Sequence, residues 1–158
     1  FKKVLSPYVL SHATILDLLG MRVSLEIGCA RIIVNNVTDE DIAELKQIIS
    51  LEPVTDATSS KADIDSERRF HSKIYRISRN KLMLDFLDLL FSLFKYVEEH
   101  FDDFDQFNKE RASARRVIRH RDLVGYLESR DIEGYQKAVE DHLIAYIDYI
   151  NYWSKRNG

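Results

Sequence analysis

Apolar residues recur every three or four positions through most of this chain, the spacing that gathers them on one side of an α-helix. Proline, which interrupts helices, occurs only at Pro7 and Pro53, and only 5 glycines are present. Strands joined by tight turns would need many more such residues. The sequence therefore predicts an all-α fold, an antiparallel bundle of six or seven helices.

The periodicity assigns six helices, and a shorter one is expected near residues 2–10. The six span residues 13–35, 39–49, 62–78, 81–101, 109–129 and 132–153. Thr38 and Asp131 are predicted N-caps, because their side-chain oxygens can accept backbone N–H groups that lack a partner in the helix. Residues 52–62 and 102–108 are expected to be loops. Neither loop separates pieces large enough to form their own cores, so residues 1–158 are predicted to be one domain.

Charge and composition restrict the class of protein. The net charge of −3 gives no overall positive field, so this domain is not expected to bind nucleic acid by itself. The single cysteine fits a reducing compartment, no signal peptide is recognisable, and the most apolar stretch, 82–97, is too short and too polar to span a bilayer. We therefore predict a cytoplasmic domain with no membrane contact. Because the sequence starts at Phe1, we also expect that a domain preceding it is missing.

Three histidines, His71, His120 and His142, are each predicted to face the interior from a different helix. Each shares its helix face with apolar residues three and four positions away. A single inward-facing histidine is more often a core residue with one hydrogen bond than a metal ligand.

Glu67 makes a metal site a realistic alternative. It precedes His71 by one helical turn, so the carboxylate and the imidazole project side by side. A carboxylate with three imidazoles suits a divalent ion such as Zn, Ni, Mn or Fe. The alternative is an exposed Glu67 paired with Arg68 or Lys73, and the spacing favours neither interpretation.

Four segments carry a recognisable combination of residues in order along the chain. They are 18–26 (LLGMRVSLE), 67–82 (ERRFHSKIYRISRNKL), 120–131, which opens with His120 and closes with Arg130 and Asp131, and 135–143 (YQKAVEDHL). Together they resemble the FCD domain, the C-terminal effector domain of one subgroup of bacterial GntR-type transcription regulators.

The resemblance implies a ligand-sensing domain rather than an enzyme. It implies one divalent ion bound by Glu67, His71, His120 and His142, beside a cavity for a small organic acid. DNA would be contacted only through a winged-helix domain absent from this chain, and a homodimer is expected because such regulators generally pair on DNA. The family usually has Asp where this chain has Glu67, which moves the carboxylate by about one C–C bond and puts the ligand geometry or metal preference in question.

Two further residues are candidate ligand-binding groups. The resemblance places Arg22 toward the pocket, where its fork could hold a carboxylate through two parallel hydrogen bonds. The alternative is a surface Arg22 paired with Glu26, one turn later. Asn80 matches the Ser-x-Asn of the family and is expected either to orient a ligand or to cap a helix, the more ordinary role.

Two other functions remain open from the sequence. A mononuclear metallohydrolase would use the same kind of site with an open coordination position, and a metal-free dimerisation module would use the histidines structurally. A di-iron protein would need a second acid–histidine motif, which this chain lacks. Arg111, Arg115 and Arg119 form a stripe that is expected to be a solvated face.

Overall fold

The computed structural model describes residues 11–52, 64–100 and 118–157, and these ranges contain seven α-helices and no strand. The helices are α1 (His12–Asn36), α2 (Asp39–Ser50), α3 (Ile64–Ile77), α4 (Lys81–His100), α5 (His120–Glu128), α6 (Ile132–His142) and α7 (Ile144–Asn157). The predicted all-α bundle is therefore confirmed. None of the described helices has both the length and the apolar character needed to cross a membrane.

Side-chain caps define where several helices begin. Thr38 Oγ1 accepts the Asp41 N–H at 3.1 Å, and the Asp41 carboxylate accepts the Thr38 N–H at 3.0 Å. Asp131 accepts the Gly134 N–H at 2.9 Å. Both N-caps predicted from the sequence are confirmed, because a short oxygen-bearing side chain satisfies a backbone donor that the first turn leaves unpaired.

The predicted bounds of two helices are wrong, and in each case the difference lies next to a histidine. The helix predicted over 109–129 does not run through Arg119, which is extended because its N–H is bound by the Asp122 carboxylate at 2.8 Å. The helix predicted over 132–153 breaks at Leu143, whose carbonyl accepts the Tyr146 N–H in a tighter, three-residue turn. As a result, His120 is the first residue of α5 and His142 is the last residue of α6.

Several predictions lie outside the described residues. They are the short helix near residues 2–10, most of the loop at 52–62, the loop at 102–108, and the first part of the helix at 109–129, which includes Arg111 and Arg115 of the basic stripe.

Helix α1 is the central element of the described bundle, since it packs against α3, α4, α6 and α7. Its fully buried apolar residues, Leu19, Ala30 and Ile33 among them, contribute to two core clusters. The same helix also buries two charged residues, Arg22 and Glu26, which are 1% and 4% exposed. Burial of charge is costly without partners, so this part of α1 points to the functional site.

Candidate metal centre

Glu67, His71, His120 and His142, from helices α3, α5 and α6, come together in the bundle. One nitrogen or oxygen atom of each lies within 4.8 Å of the corresponding atoms of the other three. The Glu67 carboxylate lies between two rings, with Oε2 3.3 Å from His71 Nε2 and Oε1 3.2 Å from His120 Nε2. The structure thus brings together all four residues that the family resemblance implies as ligands.

The alternative pairing of Glu67 with nearby cations is not what the structure shows. Lys73 forms ion pairs with Asp41, at 2.8 Å, and with Glu44 of α2. Arg68 lies 3.9 Å from Asp88 of α4. Glu67 is left facing the histidines because its position one turn before His71 places it on the inner side of α3.

Each of the three rings has an oxygen atom next to its Nδ1. His120 Nδ1 lies 2.6 Å from Glu52 Oε1, His142 Nδ1 donates to the Ile118 carbonyl at 2.8 Å, and His71 Nδ1 lies 3.3 Å from an oxygen of Glu26. A metal-binding histidine usually donates its second N–H to such an acceptor, which fixes the tautomer and leaves the other nitrogen for the ion. His120 and His142 show this arrangement, whereas the 3.3 Å contact of His71 Nδ1 with Glu26 is not a hydrogen bond. The Nε2 atoms of His71 and His120 lie 3.3 Å and 3.2 Å from the Glu67 carboxylate.

His120 Nε2 carries a clear sign of an incomplete site. It is buried and makes no hydrogen bond within the described part of the chain, although it lies 3.2 Å from Glu67. Buried polar atoms are nearly always satisfied, so an unsatisfied one calls for a specific explanation, such as a missing ion. Three imidazoles and one carboxylate are also a suitable donor set for a divalent transition ion. The residues present therefore fit a metal.

The sequence left two roles open for Arg22: a position toward the ligand pocket, or a surface pairing with Glu26. The structure shows features of both. It is paired with Glu26, Nε to Oε1 at 2.6 Å, yet the pair is buried rather than on the surface. Tyr75 donates its hydroxyl to the same carboxylate oxygen at 2.9 Å, and the Arg22 guanidinium stacks over the Tyr146 ring at 5.0 Å. Arg22 Nη2 also lies 3.3 Å from His71 Nε2, so its guanidinium reaches the edge of the metal centre.

The ionisation of the cluster follows from its burial and its charges. Burial and, after it, the neighbouring His120 together lower the pKa of His142 to about 4. For His120, burial is outweighed by the carboxylates of Glu52 and Glu67 on either side of the ring, which raise its pKa to about 9. For Glu67, burial is likewise outweighed by the nearby rings of His120 and His71, which hold its pKa well below the usual range. His142 is therefore neutral at pH 7, as a metal ligand must be, and the metal-free site holds a proton on His120 where a cation would carry the charge.

Solvent exposure differs between the two sides of the cluster. The side chains of Glu67 and Glu52 are 23% and 25% exposed, whereas those of Arg22 and His71 are 1% and 2% exposed. The centre therefore has an acidic side that solvent reaches and a buried side that carries the guanidinium.

Three groups near the centre were not found from the sequence, and one predicted residue has another role. Glu52 was placed in a loop, Glu26 was considered only as a partner of Arg22, and a backbone carbonyl such as that of Ile118 gives no sequence signal. Asn80 caps α4, where its Oδ1 accepts the N–H groups of Leu82 at 3.0 Å and Met83 at 3.3 Å. A role for Asn80 in ligand binding stays a prediction that this placement does not favour.

Comparison with known proteins gives one match. A family model described as FCD domain matches residues 17–145, a range that holds Arg22 and all four clustered residues. No curated protein and no solved structure matches the chain.

Proposed function

Since the chain belongs to the FCD domain family, and is thus an effector domain of the GntR regulator type, we propose that it binds one divalent metal ion and senses a small carboxylate through it. FCD domains belong to transcription regulators, which are not enzymes. In such a domain the bound ligand changes the balance between two arrangements of the bundle, and the DNA-binding part of the regulator reports that balance.

The observation that carries the metal proposal is the convergence of Glu67, His71, His120 and His142 around an unsatisfied His120 Nε2. A metal-free structural role for the three histidines offers that nitrogen no well-aligned hydrogen bond among the described residues, only the Glu67 carboxylate 3.2 Å away. A bound divalent ion would use the Nε2 lone pair and would balance the charge of Glu67. The ion would supply Lewis acidity toward an oxygen donor of the ligand.

Metal content tests this proposal directly. Protein purified without chelator is expected to contain about one transition-metal ion per chain, and chelation is expected to lower its Tm because binding that needs the folded site stabilises the fold. The measurement is elemental analysis beside thermal unfolding, before and after chelation and after return of Zn, Ni, Mn or Fe. Metal near zero, together with no shift of the Tm by any of these ions, would contradict the proposal.

A small mono- or dicarboxylate is the proposed effector. Four protein ligands leave one or two positions on an ion that prefers five or six, and hard oxygen donors suit those positions. Arg22 Nη2 lies 3.3 Å from His71 Nε2, so one carboxylate is within reach of both the ion and the guanidinium. A guanidinium binds a carboxylate more strongly than an ammonium because it offers two parallel N–H donors.

The proposed assembly is a homodimer whose DNA contacts are made in the cytoplasm by a winged-helix domain of the regulator. Large apolar side chains are exposed on α1 and α4, which pack against each other: Met21 is 44%, Ile32 48% and Leu82 77% exposed. Burying such residues favours association, and two-fold dimers are the commonest oligomers. Light scattering at high micromolar concentration is expected to give the dimer mass, and Leu82→Glu is expected to weaken the dimer. A monomer across that concentration range would refute this part of the proposal.

A further inference from the structure

We propose that Glu52 is a positioning residue of the metal centre: its carboxylate fixes the rotation of the His120 ring and thereby aims Nε2 at the bound ion. This inference rests on the proposed metal function and extends it to a residue outside the four ligands.

Glu52 reaches the centre from the end of α2. It lies two residues after Ser50, the last residue of that helix, and its own N–H is bound by the Ile49 carbonyl at 3.2 Å. Helix α2 packs against α5, and an exposed ion pair between Lys46 and Glu128 at 2.6 Å also joins the two helices. The backbone of Glu52 is thus held on one side of α5, where Oε1 lies 2.6 Å from His120 Nδ1.

The need for Glu52 follows from how the His120 ring is packed. The ring stacks on Phe70 with centroids 3.9 Å apart and planes 14° from parallel. Stacking fixes the plane of the imidazole, but a half-turn about the Cβ–Cγ bond keeps that plane and exchanges each nitrogen with a ring carbon. After such a turn Nε2 would no longer face Glu67. The hydrogen bond to Glu52 distinguishes the two rotations, because only Nδ1–H can donate to the carboxylate.

The carboxylate also changes the electronic character of the ligand. An anion that accepts Nδ1–H makes the opposite nitrogen a stronger donor to a metal than a neutral carbonyl does. The three imidazoles therefore differ: His120 has a carboxylate at 2.6 Å, His142 has the Ile118 carbonyl, and His71 has Glu26 at 3.3 Å. Glu26 is also held by Arg22 and Tyr75, whereas the Glu52 side chain makes no other hydrogen bond or ion pair with the described residues, so substituting it disturbs less.

The test compares Glu52→Ala and Glu52→Gln with Glu128→Gln as the matched control. Glu128→Gln removes a carboxylate that also joins α2 to α5 but lies outside the metal centre. Zinc affinity is measured by competition with a chelator, and the visible absorption of the cobalt-loaded protein reports the ligand geometry. Glu52→Ala is expected to weaken zinc binding by about 10–100-fold and to change the cobalt spectrum. Glu52→Gln, which keeps an acceptor oxygen without the charge, is expected to fall between Glu52→Ala and the wild type, and Glu128→Gln to match the wild type.

Each contrary result has a distinct meaning. Equal zinc affinity and equal cobalt spectra in wild type and Glu52→Ala would overturn the role of Glu52 while leaving the metal site intact. Equal weakening in Glu52→Ala and Glu128→Gln would show that α2–α5 packing, not ring orientation, is the cause. If Glu52→Ala does not fold, the same comparison is made with Glu52→Gln, and wild-type behaviour of that variant in both measurements would overturn the inference. If the wild-type protein binds neither zinc nor cobalt, that result would contradict the proposed function itself.

Discussion

His120→Ala is expected to lose stoichiometric metal and, with it, the whole metal-dependent part of the thermal stability. The variant removes one of three imidazoles and leaves Glu67 and Glu52 as buried or half-buried carboxylates without the ring that joins them. At a metal concentration 100 times the dissociation constant, binding stabilises the folded wild type by about 2.7 kcal/mol. For a domain of this size that corresponds to a difference in Tm of roughly 5–10 °C between loaded and stripped protein.

The quantity to measure is the change in Tm on chelation, because the direct effect of the substitution on packing cancels in that difference. His12→Ala is the control, since His12 is the first residue of α1 and lies outside the four segments that carry the family resemblance. It is expected to retain both the bound metal and the full change in Tm. Retention of metal and of the change in Tm by His120→Ala would show that His120 is not a ligand.

A small carboxylic acid is expected to raise the Tm of the metal-loaded domain, and the effect is expected to vanish in the metal-stripped domain and to weaken in Arg22→Lys. Arg22 is buried against Glu26, so Arg22→Ala would leave a buried carboxylate unpaired and destabilise the fold by about 3–5 kcal/mol. Arg22→Lys keeps a positive charge beside Glu26 and removes only the two-pronged donor. Losing a hydrogen bond to a charged group costs about 1.5–3 kcal/mol, or roughly a tenfold or greater loss of affinity.

The measurement is a thermal-shift and calorimetric titration with a panel of mono- and dicarboxylates, each paired with its neutral amide. The amide is expected to bind much more weakly, because it leaves the cation and the guanidinium without an anionic partner. An acid that binds as well after chelation would show that the metal is structural only. If no acid binds while the metal-loaded domain hydrolyses an ester or amide, the metallohydrolase alternative should replace the sensor.

The sequence predicts best the part of the site whose residues lie close together along the chain. Glu67 and His71 are one helical turn apart, so their proximity follows from helix geometry alone. The approach of His120 and His142 depends on how α5 and α6 pack, which periodicity does not encode. Apolar spacing placed both histidines toward the interior and left a metal site as an open alternative, and the family resemblance implied all four residues as ligands. The structure brings the four together.

The features that were missed have a common physical cause. Apolar spacing continues through Arg119 and Leu143, so a pattern of apolar residues cannot reveal that these two residues lie outside the helices. Arg119 is extended and its N–H donates to the Asp122 carboxylate, and a three-residue turn follows His142 directly. Glu52 belongs to no helical pattern of apolar residues that would single it out. Its proposed importance depends on His120, which lies 68 positions away in the sequence.

The uneven exposure of the centre imposes an order on what can enter it. The two negative charges of Glu67 and Glu52 exceed the one positive charge of protonated His120, so the exposed side of the metal-free centre would attract a cation and repel an anion. Under the proposed function, a bound ion would offset the remaining negative charge on that side and would make the route toward Arg22 favourable to an acid. A domain built in this way would respond to its effector only while metal is available, so it would act as a coincidence detector for two chemical inputs rather than as a sensor of one.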